Sequence, residues 1–157
     1  METKQFQSLV REEISRRGFR LVRFTRPPLE EAGRRFQEWL EKQFHGEMAY
    51  LSRRNAERRD ASALLQDLQS VIVLGHPYDS GLENSKDPAL ANISRYAWGE
   101  DYHEVLKAKL RDLQSWLEQI RPEGKFFLSV DSSPVLEKGW AEKAGLGWIG
   151  KHTNVIH

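Results

Sequence analysis

The chain of 157 residues contains no cysteine. Disulfide bridges, thiolate-held metals, thiol nucleophiles and cysteine-ligated iron–sulfur clusters are therefore excluded within it. It also lacks any run of about 18 apolar residues, the length a membrane-spanning helix requires. Met1 is followed by polar ETKQ rather than by the apolar core of a signal peptide. The expectation is a soluble cytoplasmic protein with no membrane partner. Net charge is almost absent as well: 24 Lys and Arg against 23 Asp and Glu leave +1. That balance does not announce a nucleic-acid partner, so distribution has to be read instead. From Met1 to Arg35, nine Lys or Arg stand against five Glu, a mildly basic end that an ordinary solvated helix face also produces.

What is present points to a folded globule. Apolar residues make up 39%, including five Trp and seven Phe, and the length suits one domain around one core. No internal repeat, low-complexity tract or linker interrupts it.

Phe6, Leu9, Val10 and Ile14 recur at helical spacing until Gly18, and GFRLVRF then alternates like a short strand. Pro27 and Pro28 open a second helical stretch in which Phe36, Leu40 and Phe44 share a face, ending near Gly46. The Arg-rich MAYLSRRNAERRD has no clear period. VIVLG (Val71 to Gly75) reads as a buried strand, and PYDSGLENSKDPALAN as an exposed loop. Asp101 and Glu104 form a capping-box pattern before Leu106, Leu110, Leu113, Leu117 and Ile120. KFFLSVD reads as another buried strand leading to Asp131. Ser132 or Ser133 would then cap a helix that runs through Pro134, Glu137 and Ala141 to Gly145. TNVIH begins like a further strand.

Gly145 to Thr153, GLGWIGKHT, matches both GxGxxG and GxxxxGK. A dinucleotide loop needs a strand before and a helix after it, and a phosphate loop needs Ser or Thr after the Lys. Here a helix comes first and His152 follows Lys151. Nucleotide binding is thus a minor reading. The plain alternative is a helix stop and a tight turn with Trp148 and Ile149 packed in the core. Glycines beside Trp148 would also let the backbone approach a large planar cofactor.

Three stretches carry a resemblance: RYAWGEDYHEVLKAKL (Arg95 to Leu110), VDSSPVLEKGWAEKAGLGWIGKHTNVI (Val130 to Ile156) and HGEMAYL (His45 to Leu51). Taken in chain order they resemble the N-terminal part of epoxyqueuosine reductases. The resemblance implies an oxidoreductase of queuosine biosynthesis, reducing epoxyqueuosine to queuosine at the wobble position of tRNA with cobalamin as cofactor. It implies an α/β (α+β) fold, a single nitroreductase-like sandwich over residues 1–157, related to the cobalamin domain of reductive dehalogenases. Family members continue into a domain with two 4Fe–4S clusters bound by eight cysteines. This chain has no such ligands, so it looks like a truncated member that depends on a separate iron–sulfur domain or other electron donor, and it is expected to be inactive or incomplete alone. A noncatalytic cobalamin- or tRNA-binding remnant is the alternative.

The same resemblance assigns roles to residues. The aspartate of the VDSSP-type motif, Asp131, would donate the proton that lets the epoxide oxygen leave as water; read from the residues alone, it is a cap or turn residue. Arg58, Arg95 and Tyr96 fall at positions expected near the corrin amides or phosphate tail, and a guanidinium fork suits phosphate. Trp148, Gly150, Lys151 and His152 are the candidates for the cofactor wall. No protein metal ligand is expected: His103 has a helix-terminal role instead, and Glu137 is read as an anchor of its own helix, outside the site. Arg16, Arg17, Arg20, Arg23, Arg53 and Arg54 are available to tRNA phosphates.

Overall fold

Val10 and Ile14, one helical turn apart, are completely buried. They lie on helix α1 (Thr3–Arg16) of the computed structural model, which describes residues 3–157. Gly18 ends the helix with a left-handed φ of 84°, a conformation that costs glycine nothing. The chain divides into two compact units, residues 3–20 with Gly75–Gly124, and Leu21–Leu74 with Lys125–His157.

In the first unit α1 is joined by the long helix α5 (Tyr102–Ile120), which buries Leu113 and Leu117. Covering such a side chain is worth about 1.5–3 kcal/mol. Arg17 Nε donates to Asp112 Oδ2 (2.7 Å), and the Arg121 guanidinium lies 4.8 Å from the Phe6 ring centre. Asp101 caps α5 by accepting the His103 N–H (2.9 Å). Glu104 pairs with Lys107 (3.3 Å), so the cap forms while the reciprocal arm of the capping box goes elsewhere. Residues 78–94 are exposed and carry no helix or strand, as the sequence suggests.

The second unit holds β1 (Leu21–Thr25) and β2 (Val71–Gly75), which form a two-stranded sheet. Around it are α2 (Glu30–Glu41), the short helices α3 (Tyr50–Arg53) and α4 (Asn55–Arg59), and α6 (Glu137–Lys143). Strands β3 (Trp148–Ile149) and β4 (Val155–Ile156) pair antiparallel. The mixture of helices and strands is that of an α/β protein. Its buried side chains include Val22, Leu29, Trp140 and Ala141. The helix α2 ends before Phe44, which is 66% exposed rather than part of an apolar face.

Two sequence expectations change around Asp131. Residues 125–131 form no strand: exposure alternates over Lys125, Phe126, Phe127 and Leu128, yet no ladder is made. Alternation satisfies the side-chain rule, whereas a strand also needs a neighbour for its amides, which local sequence does not specify. The following helix starts at Glu137, with Leu136 at its N-cap and no side-chain cap. Ser132 and Ser133 are taken up instead in tight turns, Ser132 N–H to Val130 O and Val135 N–H to Ser133 O (2.8 Å).

Candidate active site

Asp131 is exposed and has a left-handed φ of 50°. With Ser132 N–H closing back onto Val130 O, it is the central residue of a γ-turn of the strained hand. Such a conformation costs about 1–3 kcal/mol and persists only where its surroundings over-determine it. Glu137 provides the constraint. Its Oε1 accepts the Asp131 N–H (2.8 Å) and the Ser129 hydroxyl (3.0 Å). Hydrogen bonds to an ionised group contribute about 1.5–3 kcal/mol each, the size needed to offset the strain. Glu137 therefore serves more than its own helix. Sequence reasoning placed it outside the site because the decisive contact joins a first-turn side chain to a backbone amide six residues earlier.

At the other end of α6, Gly145 (φ 69°) donates to Glu142 O (2.9 Å) and Leu146 N–H to Ala141 O (2.9 Å), a Schellman stop. The glycine loop then forms a hairpin. Gly150 N–H donates to Asn154 O and Thr153 N–H to Gly150 O (2.9 Å each), enclosing Lys151, His152 and Thr153, with Thr153 at φ 64°. This is the turn-plus-bulge geometry of three-residue hairpins. No helix follows, so neither phosphate-binding pattern has the amides it requires.

The glycines of the hairpin serve its own packing. A Cβ on Gly150 would meet His152 Cε1 at 2.7 Å and Ile156 Cδ1 at 2.8 Å. His152 Nδ1 accepts the Asn154 N–H (3.3 Å). Trp148 is 60% exposed rather than packed in the core, and Lys151 and His152 are also exposed. Ile149 N–H donates to Glu142 Oε1 (3.2 Å), and Lys138 Nζ to Asn154 Oδ1 (3.2 Å). The hairpin thus runs back along α6 and brings its turn to the end of the helix where Glu137 holds Asp131.

The remaining candidates have other engagements. Arg58 Nη1 donates to the carbonyls of Leu51 (3.4 Å) and Arg54 (3.3 Å), bracing α3 and α4. In the first unit, Arg95 Nη1 pairs with Asp79 Oδ1 (2.8 Å). The backbone N–H of Gly81, then the Arg95 charge, hold the Asp79 carboxyl below the usual range. Tyr96 is exposed and stands edge-on to Tyr102, ring centres 6.0 Å apart. His103 stacks on Tyr102 at 4.0 Å, and its Nδ1 lies 2.7 Å from Asp101 Oδ1, a helix-terminal role. The His103 N–H and ring together keep Asp101 below its ordinary pKa. Of the arginines available to RNA, Arg16 pairs with Glu13, Arg17 with Glu13 and Asp112, and Arg54 with Glu57.

A cleft of about 1010 Å³ in the second unit is lined by residues of α2 and α4, among them Pro28, Gly33, Gln37 and Arg59. It includes none of the candidate residues, so size alone does not mark the chemistry. Among the described residues, no three or more His, Asp or Glu gather as a metal site.

A family model described as Epoxyqueuosine reductase QueG, DUF1730 matches residues 58–132. The epoxyqueuosine reductase of Synechocystis sp. is 45% identical over 127 residues, covering 81% of this chain and 43% of that protein. The one from Cellulophaga algicola is 41% identical over 160 residues, covering 99% of this chain and 51% of its own length. Over almost its whole length the chain is similar to epoxyqueuosine reductases.

A crystal structure of an epoxyqueuosine reductase with a tRNA-Tyr epoxyqueuosine-modified stem loop superposes with a TM-score of 0.77 at 20% identity. It covers 98% of this chain and 42% of the solved one, and at that identity it speaks for the fold. The chain spans about half the length of the epoxyqueuosine reductases it matches. The family-model match includes Arg58, Arg95, Tyr96 and Asp131, and stops short of Glu137 and the hairpin.

Proposed function

We propose that this chain is the cobalamin-binding catalytic part of an epoxyqueuosine reductase, acting on tRNA that carries epoxyqueuosine. The observation that carries the reading is the match, 41% identical, that takes in 99% of this chain and 51% of a protein of that name. The nitroreductase-like sandwich related to reductive dehalogenases is the fold this reading implies for residues 1–157. Cytoplasmic tRNA chemistry accords with the described residues, none of whose helices is long and apolar enough to cross a membrane.

The fit of cobalamin can be judged on the second unit. Its hairpin offers an exposed indole at Trp148 with exposed Lys151 and His152 beside it, an apolar wall edged with polar groups of the kind that a corrin ring bearing amides requires. Trp148, Lys151 and His152 would hold that group, and Arg58 of the same unit is a further candidate for its periphery. When bound, cobalamin supplies the reducing electrons at the substrate.

Removing an epoxide oxygen consumes an electron pair and a pair of protons and releases water. Asp131 would place a proton on the departing oxygen, which leaves as a far better group once protonated. With its backbone fixed at the turn, the carboxyl would have less to reorganise before meeting a bound ligand. Electrons would come from a separate iron–sulfur domain or another donor, because this chain has no cysteine.

Titration with cob(II)alamin, followed by visible absorption, tests cofactor binding. Epoxyqueuosine-containing tRNA with a chemical reductant then tests turnover, for which queuosine is the expected product. Binding without turnover under any electron supply would leave a noncatalytic module, and no spectral change would overturn the cofactor assignment.

A further inference from the structure

Glu137 reaches the backbone of Asp131 from outside the turn, and it does so with the same oxygen that engages Ser129. We propose that Glu137 is a positioning residue for the reaction: by holding the Asp131 N–H it keeps the γ-turn in the shape that presents the Asp131 carboxyl. This rests on the reading of Asp131 as the proton donor.

The geometry distinguishes this role from simple helix support. An acid in the first turn of α6 favours the helix wherever its carboxylate points, since the helix dipole acts at the terminus as a whole. Nothing in that effect requires a bond to Asp131. The bond is aimed at the residue with the left-handed φ, and the Ser129 hydroxyl fixes the orientation of the accepting oxygen. Lys138, the next residue, ties the same end of α6 to Asn154 beside the hairpin turn. One helical end thus sets both the acid-bearing turn and the proposed cofactor wall. Neighbouring residues share the work.

The test has a structural arm and a kinetic arm. In the isolated chain, amide hydrogen exchange followed by NMR reads the Asp131 N–H directly. In Glu137→Ala its exchange is expected to accelerate roughly tenfold or more, while amides in the middle of α5 keep their wild-type rates. Glu137→Gln retains a neutral acceptor and is expected to fall between. In the complete enzyme with its electron source, Glu137→Ala is expected to lower kcat roughly tenfold at unchanged KM for tRNA, with Glu137→Gln recovering most of the loss.

Unchanged Asp131 exchange in a folded Glu137→Ala variant would overturn the proposal. Should that variant fail to fold, Glu137→Met, similar in length but with no oxygen acceptor, decides, because wild-type exchange there would overturn it equally. Full turnover in Asp131→Asn would instead remove the acid role while leaving the hydrogen-bond measurement intact, so the two failures are separable.

Discussion

Gly147 lies so close to Ile156 that a Cβ built on it would sit 2.3 Å from the Ile156 carbonyl oxygen. The contact is with backbone across the β3–β4 pair, which cannot yield as a flexible side chain would. Gly147→Ala is therefore expected to destabilise by about 1–3 kcal/mol, as overpacking does, and to disorder the hairpin. Urea denaturation gives the magnitude, and wild-type stability would contradict the close approach.

A second glycine makes the opposite of its usual prediction. In an exposed helix, Gly→Ala stabilises by about 1 kcal/mol. On α6, a Cβ at Gly139 would meet the Ala32 Cβ at 2.6 Å and Leu29 Cδ2 at 3.3 Å. Overlap of this kind costs about 1–3 kcal/mol and outweighs the propensity gain. Gly139→Ala is expected to lower the urea midpoint, and a raised midpoint would show that α2 and α6 are not in such contact.

Thr153 is the reverse case, a β-branched residue held at φ 64°. The left-handed region costs a residue with a Cβ about 1–2 kcal/mol, while glycine loses about 0.5–1 kcal/mol through the unfolded chain. Thr153→Gly is expected to gain up to about 1 kcal/mol by these opposing amounts. The check is a raised unfolding midpoint with the hairpin amides still protected from exchange.

In the first unit, His76 Nε2 lies 2.8 Å from Lys109 Nζ, and its ring stands edge-on to Phe19 at 5.5 Å. Burial first, and then the Lys109 charge, hold the imidazole below its ordinary pKa. The folded form thus binds this proton less readily than the unfolded form. The contribution is fully present above the unfolded value of about 6.5 and is lost as pH falls through the lowered folded value. Stability is expected to decline on acidification from neutrality, with a smaller decline in Lys109→Met. NMR titration of His76 checks the sign, and a midpoint above the ordinary value would reverse it.

Much of this architecture was legible where one face of one element carried the information. The spacing of Val10 and Ile14, the leucines of α5 and the glycine stop at Gly145 are local patterns, and the structure keeps them. VIVLG is a strand as expected, though half-buried. KFFLSVD misled because its alternation was correct and its pairing absent. Trp148 allows two readings in the sequence, core packing and a cofactor wall, and the hairpin turns it to solvent, which removes the first. Resemblance singles out Asp131 as a candidate; it does not reveal the hold of Glu137 on it, since a hydrogen bond to a backbone amide leaves no signature in residue spacing.

Helix α6 has contacts assigned to both its ends: Glu137 to Asp131, Lys138 to Asn154, and Glu142 to Ile149. Each residue of a helix advances the next by about 100° of rotation and 1.5 Å of rise. Inserting a single residue between Lys138 and Glu142 would leave the upstream grips in place and swing Glu142 out of line with the hairpin. The helix is therefore a gauge block, tolerant of many substitutions on its outer face and intolerant of any change in length.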